Sequence, residues 1–215
     1  MCCFASDKKQ EENLQKIKEL RLMDDILMVK CFEGSPERTE LLLRLIIKRP
    51  VLRVQTAQIQ WFGPSAGLDI FAEDTNGHSY IIKVFCDETP DFKYYVNFDE
   101  KVPFHLYNCF QDRPEHYIVH IIEHGSTRKA VSHSSLMFDG ALENGDWYGD
   151  IINILYVNGE RKNRSPLGQL MFDFSYSDPS DMNYALLADR VRYLKESPEG
   201  IQAMSEMLEK KRTAQ

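Results

Sequence analysis

Several protein classes are excluded by what this sequence lacks. No apolar run in its 215 residues approaches the roughly 18–20 that a membrane-spanning helix requires, and the longest, Leu41 to Ile47, is interrupted by Arg44. No membrane partner is therefore expected. The opening MCCFASDKKQ lacks the apolar stretch of a secretory signal, so the expected location is cytoplasmic. Cysteines number five, an odd set without a CxxC pair, which argues against both a disulfide framework and a cysteine zinc site. The GxxxxGK phosphate loop, the GxGxxG dinucleotide fingerprint and the GxSxG nucleophile elbow are all missing, and with them the minimum chemistry of an ATPase, a Rossmann enzyme or an α/β-hydrolase. Basic charge is also in deficit. With 26 Lys and Arg against 33 Asp and Glu, the net charge is −7, the wrong sign for a protein that coats nucleic acid non-specifically.

What is present suffices for a packed core. Hydrophobic residues make up 43% and charged residues 27%, a globular mixture. At roughly 100–200 residues per domain, the chain reads as a single domain over 1–215. No linker-like tract or internal repeat divides it, and three textures follow one another: a helical part over 1–50, a sheet core over 51–160 and a helical part over 161–215.

In the first part, Leu14, Ile17 and Leu20 recur at three-residue spacing and predict a helix over 8–21, with Met23 to Phe32 continuing it. Ser35-Pro36 pairs a cap residue with a proline in the first helical position, starting a helix that runs to Lys48. Strands are predicted at Leu52–Gln60, Gly67–Asp74, His78–Cys86, Tyr117–Glu123 and Trp147–Val157, where Val, Ile, Phe and Tyr cluster between turn residues. Phe92–Phe110 has the length of a crossover helix. Helices are predicted again over Leu167–Phe174, Asp181–Glu196 and Glu199–Arg212. The fold class is thus α/β, with helical N-terminal and C-terminal segments.

The hairpin AGLDIFAEDTNGHSYIIKVF carries the functional argument. Two strand-like runs flank Thr75-Asn76-Gly77, and Gly in the third loop position suits a type I turn closed by a left-handed residue. A three-residue loop sets Asp74 opposite His78 and, counting outward, Asp69 opposite Lys83 on one sheet face; a two-residue Asn-Gly loop separates them.

At these residues the chain resembles the PD-(D/E)XK nucleases, in particular the recombination-promoting nuclease and transposase branch of bacteria. The resemblance rests on LMDDILMVKCF near the start, LDIFAEDTNGHSYII at the hairpin and DFSYSDPSDMNYALLADRVRYLKESPEG near the end, and extends over most of the chain. It implies a restriction-endonuclease-like core, a mixed sheet flanked by helices, in which carboxylates on a hairpin hold Mg²⁺ or Mn²⁺ for DNA cleavage. That chemistry needs two close carboxylates and a nearby Lys or Gln to orient the attacking water. Asp69 matches the first carboxylate of the family. Where the family has Glu-x-Gln on the second strand, this chain reads Lys83-Val84-Phe85, and where the family has an Arg-x-Tyr-Gln pattern it reads His105-Leu106-Tyr107-Asn108.

A Lys ammonium opposite Asp69 supplies the positive charge that a metal otherwise provides. The expected site is therefore metal-free, without a cofactor, and the expected function is binding of DNA or of a protein partner by a catalytically degenerate nuclease-family protein. Two alternatives stay open. One is an active divalent-metal-dependent DNA endonuclease with a rearranged site, using Asp69 with Glu73 on the same strand, or with Asp87 or Glu88, while Asp24 or Asp25 converges from the early helix and Tyr107 and Asn108 assist. The other is an acidic interaction module that inhibits a nuclease-type system. Five acids between Asp87 and Glu100 against Lys93 alone agree with a lost DNA-cleaving rim. The sequence does not give the oligomeric state.

Other clusters carry less. His116, His120 and His124 recur every fourth residue, but the β-forming residues between them predict a strand on which His116 and His120 stand roughly 13 Å apart, too far to share zinc; a surface or half-buried strand face is expected. Ser132, His133, Ser134 and Ser135 adjoin in sequence without the geometry of a triad. Arg161, Lys162 and Arg164, and Arg190, Arg192 and Lys195, are basic groups expected in a solvated turn and on a helix face, where they are open to phosphate.

Overall fold

The computed structural model describes residues 2–47, 51–87, 114–124, 129–141 and 147–214. Three helices come first, α1 (Cys2–Glu19), α2 (Asp25–Phe32) and α3 (Pro36–Ile46). Six strands follow: β1 (Arg53–Phe62), β2 (Ser65–Glu73), β3 (Ser79–Asp87), β4 (Glu115–Ile122), β5 (Val131–Ala141) and β6 (Trp147–Asn158). The chain closes with α4 (Pro166–Ser175), a 3₁₀ turn (Pro179–Asp181), α5 (Ala185–Glu196) and α6 (Pro198–Thr213). Among the described residues no helix is long and apolar enough to cross a membrane.

The strands form one mixed sheet in the order β1-β2-β3-β4-β6-β5. β1, β2 and β3 are an antiparallel meander, β3, β4 and β6 run parallel, and β5 returns antiparallel along β6. A parallel step from β3 to β4 needs a crossover. The segment predicted to supply it, Phe92–Phe110, lies outside the described residues.

Alternation along the strands separates two faces. Leu68, Ile70, Ala72, Ile82, Val84, Tyr117, Val119, Ile121, Leu155 and Val157 join Ile17 of α1, the apolar side chains of α2 and α3, and Phe174, Leu187, Leu194 and Met204 in one core. All six described helices thus contribute to the same side of the sheet. On the other side, Ile118, Ile152 and Ile154 form a smaller cluster with Phe85 and Tyr156 against it. β4, buried on both faces, reads as the nearly continuous apolar run Tyr117–Ile122 expected of an inner parallel strand.

Ser-Pro starts account for three helix ends. Ser35, Ser165 and Ser197 each place a hydroxyl oxygen to accept an N–H from the first turn, at 3.4, 3.1 and 3.0 Å, ahead of a proline whose missing N–H costs nothing there. Four expectations need correction. The helix predicted over 8–21 ends at Glu19, and 20–24 form a turn in which Met23 donates its N–H to the Phe174 carbonyl, so Met23–Phe32 is not one helix. α5 begins at Ala185 rather than Asp181, because the buried Asp173 carboxylate accepts the N–H groups of Asn183 and Tyr184 and fixes them ahead of the helix. Strand β5 was not expected at all. Cys31 is fully buried as a free thiol whose pKa is pushed up to about 12 by desolvation, in keeping with reduced cysteines.

Candidate functional site

The β2–β3 hairpin sets the geometry. Asp74 donates its N–H to the His78 carbonyl at 2.9 Å, and Gly77 donates to the Asp74 carbonyl at 3.1 Å. The Asp74 side chain accepts from the N–H groups of Asn76 and His78, and Gly77 takes φ of +84°, where a side chain would be strained. The loop therefore holds three residues, and Asp69 lies directly opposite Lys83, as the turn chemistry predicts.

The row continues across the sheet as Gln58, Asp69, Lys83, Ile118 and Ile154, all on the face away from the helix-built core. Lys83 is 8% exposed. Its Nζ donates to Gln60 Oε1 at 2.9 Å and lies 3.4 Å from Asp69 Oδ1. It also sits 5.4 Å from the centroid of the Phe62 ring. Phe62 meets Phe85 edge to face at 5.2 Å, and Phe85 crosses the space that a Cβ on Gly67 would need. Gly67 is thus required for the ring that walls one side of the pair. The aromatic row extends through His120, stacked on Phe85 at 5.4 Å, to Tyr156 at 5.9 Å.

Burial pushes the Asp69 carboxyl above the usual carboxylate range, and Lys83 pulls the other way. The aspartate thus stands in a partly desolvated niche with one cationic neighbour, at a separation longer than a good charge-assisted hydrogen bond. The positions bordering it on this face are Gln58 and Gln60 on β1, Gly67 and Phe71 on β2, and Ile81, Lys83 and Phe85 on β3; none is acidic. Among the described residues no group of three metal-ligating side chains converges.

Among the described residues, Asp69 is the one carboxylate that this face offers a divalent metal at the pair, and the Lys83 ammonium stands 3.4 Å from it. The Lys83 ammonium repels a dication that Asp69 would attract, which weakens a metal at this carboxylate relative to one with a second acid beside it.

The other predicted ligands are dispersed. Glu73 shares the strand and the face but lies four residues from Asp69, about 13 Å at 3.3 Å per residue; it stands between Arg53 and Ser79, with Gln55 Nε2 at 3.4 Å. Asp25 approaches β2 from the helix-covered side. It accepts the N–H of Ala66 at 3.0 Å, the N–H of Ile26 at 2.7 Å and Lys211 Nζ at 2.6 Å, which makes it a structural tie between α2, β2 and α6. Asp24 accepts the Arg21 N–H in the preceding turn. Asp87 ends β3 opposite Ile122, four residues beyond Lys83. Glu88, the acidic run that follows, Tyr107 and Asn108 lie outside the described residues.

His116 and His120 are 1% exposed each, so the surface or half-buried placement expected for this strand is corrected to a buried one, while His124 lies exposed beyond the strand with Glu160 at 3.5 Å. On β5, His133 Nε2 meets Asn153 Oδ1 at 3.0 Å and Ser135 Oγ at 3.4 Å. Both contacts fall on one ring nitrogen, whereas a triad needs the serine and the orienting group on opposite nitrogens.

Of the basic groups, Arg161, Lys162 and Arg164 are exposed as expected. Lys195 is not on an open face. It is 5% exposed, and its ammonium donates to the carbonyls of Lys18, Leu20 and Ser177 at 2.5–2.8 Å; desolvation lowers its pKa to about 8. Arg190 donates to the Lys30 carbonyl, and Arg192 pairs with Asp189.

Sequence reasoning missed Gln60 and Phe62, whose place beside Lys83 depends on the β1–β2 register. The available signal was the alternation Gln58-x-Gln60-x-Phe62. Comparison with family models, with curated proteins and with solved structures found no match to this chain.

Proposed function

We propose that this chain is a PD-(D/E)XK-type protein whose metal site has been replaced by an ion pair, and that it acts by binding rather than by cutting DNA. The observation that carries the reading is Lys83 seated between Asp69 and Gln60, where the chemistry of cleavage needs a second carboxylate. The mixed sheet, with a hairpin bearing Asp69 and a parallel strand beside it, agrees with the architecture that the resemblance implies. An aspartate kept at this position in a half-buried niche agrees with descent from a working site. Between DNA and a protein as the partner, charge favours a protein. The net charge is −7, and Lys195, Arg190 and Arg192 are engaged within the chain.

Nicking of supercoiled plasmid in Mg²⁺ and in Mn²⁺ tests the reading, with the wild type run beside Asp69→Ala and Lys83→Glu. The expected result is an intact plasmid with the wild type and with Asp69→Ala. Cutting in Lys83→Glu supports a site disabled chiefly at that position. Cutting by the wild type that Asp69→Ala removes overturns the reading in favour of an active endonuclease. A labelled duplex in the same buffers addresses the partner: no retardation is expected, and saturable, salt-sensitive retardation identifies DNA instead.

A further inference from the structure

Two arginines converge on the C-terminal turn of α2. Arg38 of α3 donates its Nε–H to the Cys31 carbonyl at 2.6 Å, and Arg190 of α5 donates from Nη2 to the carbonyl of the neighbouring Lys30 at 3.3 Å. Carbonyls at a helix end favour cations, but that end carries only about half a negative charge, so two guanidiniums leave about one and a half positive charges uncompensated. The acids nearby do not supply the balance. Glu33 pairs with Lys30 at 2.6 Å, and Asp189 pairs with Arg192 at 2.9 Å. Glu37 precedes Arg38 and forms no ion pair with either arginine among the described residues, and the buried Cys31 thiol, its pKa pushed up to about 12, is neutral. Burial holds Arg38 below the usual arginine range, and the Arg190 charge acts in the same sense. Arg190 Nε is buried without an acceptor, and neither Arg190 Nη1 nor the Nη groups of Arg38 make a hydrogen bond among the described residues. The bonds to α2 thus hold both guanidiniums in place without neutralising them.

Apolar area adjoins this charge. Leu186, Arg190 and Tyr193 follow one another at spacings of four and three along α5 and so share one face of the helix. Leu186 is 37% and Tyr193 43% exposed, two of the four large apolar side chains that stand exposed among the described residues, and the Arg190 guanidinium lies 5.1 Å from the centroid of the Tyr193 ring. We propose that Arg38, Arg190, Leu186 and Tyr193 form a docking surface for a segment of a partner protein that carries a carboxylate beside an apolar side chain. The guanidinium fork matches a carboxylate through two parallel hydrogen bonds, and the side chains flanking Arg190 cover the apolar neighbour. A peptide fits better here than a nucleic acid. A duplex backbone has no apolar side chain to bury, and as a polyanion it meets the net charge of −7, whereas a single carboxylate meets the local excess of positive charge. The surface lies in the helix layer, across the sheet from Asp69, so docking there is independent of whether the Asp69 site cuts DNA.

Selection from a displayed library of random dodecapeptides on the immobilised full chain tests this inference, followed by fluorescence anisotropy of the enriched peptide with the wild type, Arg190→Gln and Leu186→Asp. Leu186 sits in the first turn of α5, where an acidic side chain suits the helix dipole, so Leu186→Asp sets a repelling charge on the surface without disturbing the helix. The expected result is enrichment of Asp or Glu next to an apolar residue, with affinity about tenfold tighter for the wild type than for either variant. Should Arg190→Gln unfold, which circular dichroism reports, Leu186→Asp decides alone. Peptides without acidic enrichment overturn the proposal, as does an empty selection or an acidic peptide that binds Leu186→Asp as tightly as the wild type. A labelled DNA duplex retarded by the wild type and released by Leu186→Asp makes phosphate the recognised anion and overturns it as well.

Discussion

Asp25 and Asp69 approach the strand β2 from its two sides, and their surroundings differ in kind. On the helix-covered side, Asp25 receives three donors within 3.0 Å, from α2, β2 and α6. Asp173, fully buried in the same core, receives the N–H groups of Asn183 and Tyr184 and the amide of Asn183. These carboxylates were desolvated and repaid in full, as a buried charge must be to support the fold. On the other side, Asp69 has Lys83 at 3.4 Å, and Lys83 makes its shorter bond to Gln60. Asp69 is half-buried, and its Oδ1 lacks the close donors that Asp25 and Asp173 have. That contrast, more than the identity of any residue, is what supports the proposal that the face of Asp69 is the functional one.

The sharpest way to break the comparison is to truncate a carboxylate on each side. Asp173→Ala removes a fully buried carboxylate and with it the acceptor of the Asn183 and Tyr184 N–H groups ahead of α5, and is expected to destabilise the chain by about 3 kcal/mol in a urea melt. Lys83→Met, which keeps the aliphatic stem beside Phe62, is expected to cost about 1 kcal/mol, because the Asp69 carboxylate that it leaves without a cation is 38% exposed and can be solvated by water. A Lys83→Met loss as large as that of Asp173→Ala would mean that the two sides are alike and that the ion pair is structural.

Titration sharpens the same contrast. The native carboxyl of Asp69 lies above its unfolded value of 3.8, because burial favours the protonated form. The folded chain therefore keeps this proton after the unfolded chain has lost it. This contribution to stability is complete below 3.8 and is lost as pH rises through the native value. Glu123 runs the other way: the hydrogen bond from Arg21 holds it below 4.5, so its contribution is present above 4.5 and is lost as pH falls through the native value. Carboxyl carbon shifts followed by NMR are expected to show Asp69 titrating late and Glu123 early, and Lys83→Met is expected to move Asp69 later still.

How much of this was legible follows from how local each determinant is. The Asp69–Lys83 pairing could be read because Thr75-Asn76-Gly77 fixes the register within the hairpin, and Asp74 locks the loop with its own side chain. Gln60 could not be placed, because β1 meets β2 through a second turn at Gly63, with φ of +60°, and carries a bulge. Strand β5 was missed because Ser-His-Ser-Ser has little β-preference of its own; its strand character comes from pairing with β6. Lys195 read as a surface cation because the three carbonyls that bury it come from residues 18, 20 and 177. The histidines of β4 were correctly placed on a strand, but their burial depends on both faces being covered, which alternation within one strand does not reveal.

The central claim is that Lys83 stands where a metal would otherwise act. Calorimetric titration of Mn²⁺ into the wild-type chain, with Asp69→Asn in parallel, tests it most directly. The account predicts heats indistinguishable between the two proteins and no saturable site. A saturable Mn²⁺ site in the wild type that Asp69→Asn abolishes would contradict it.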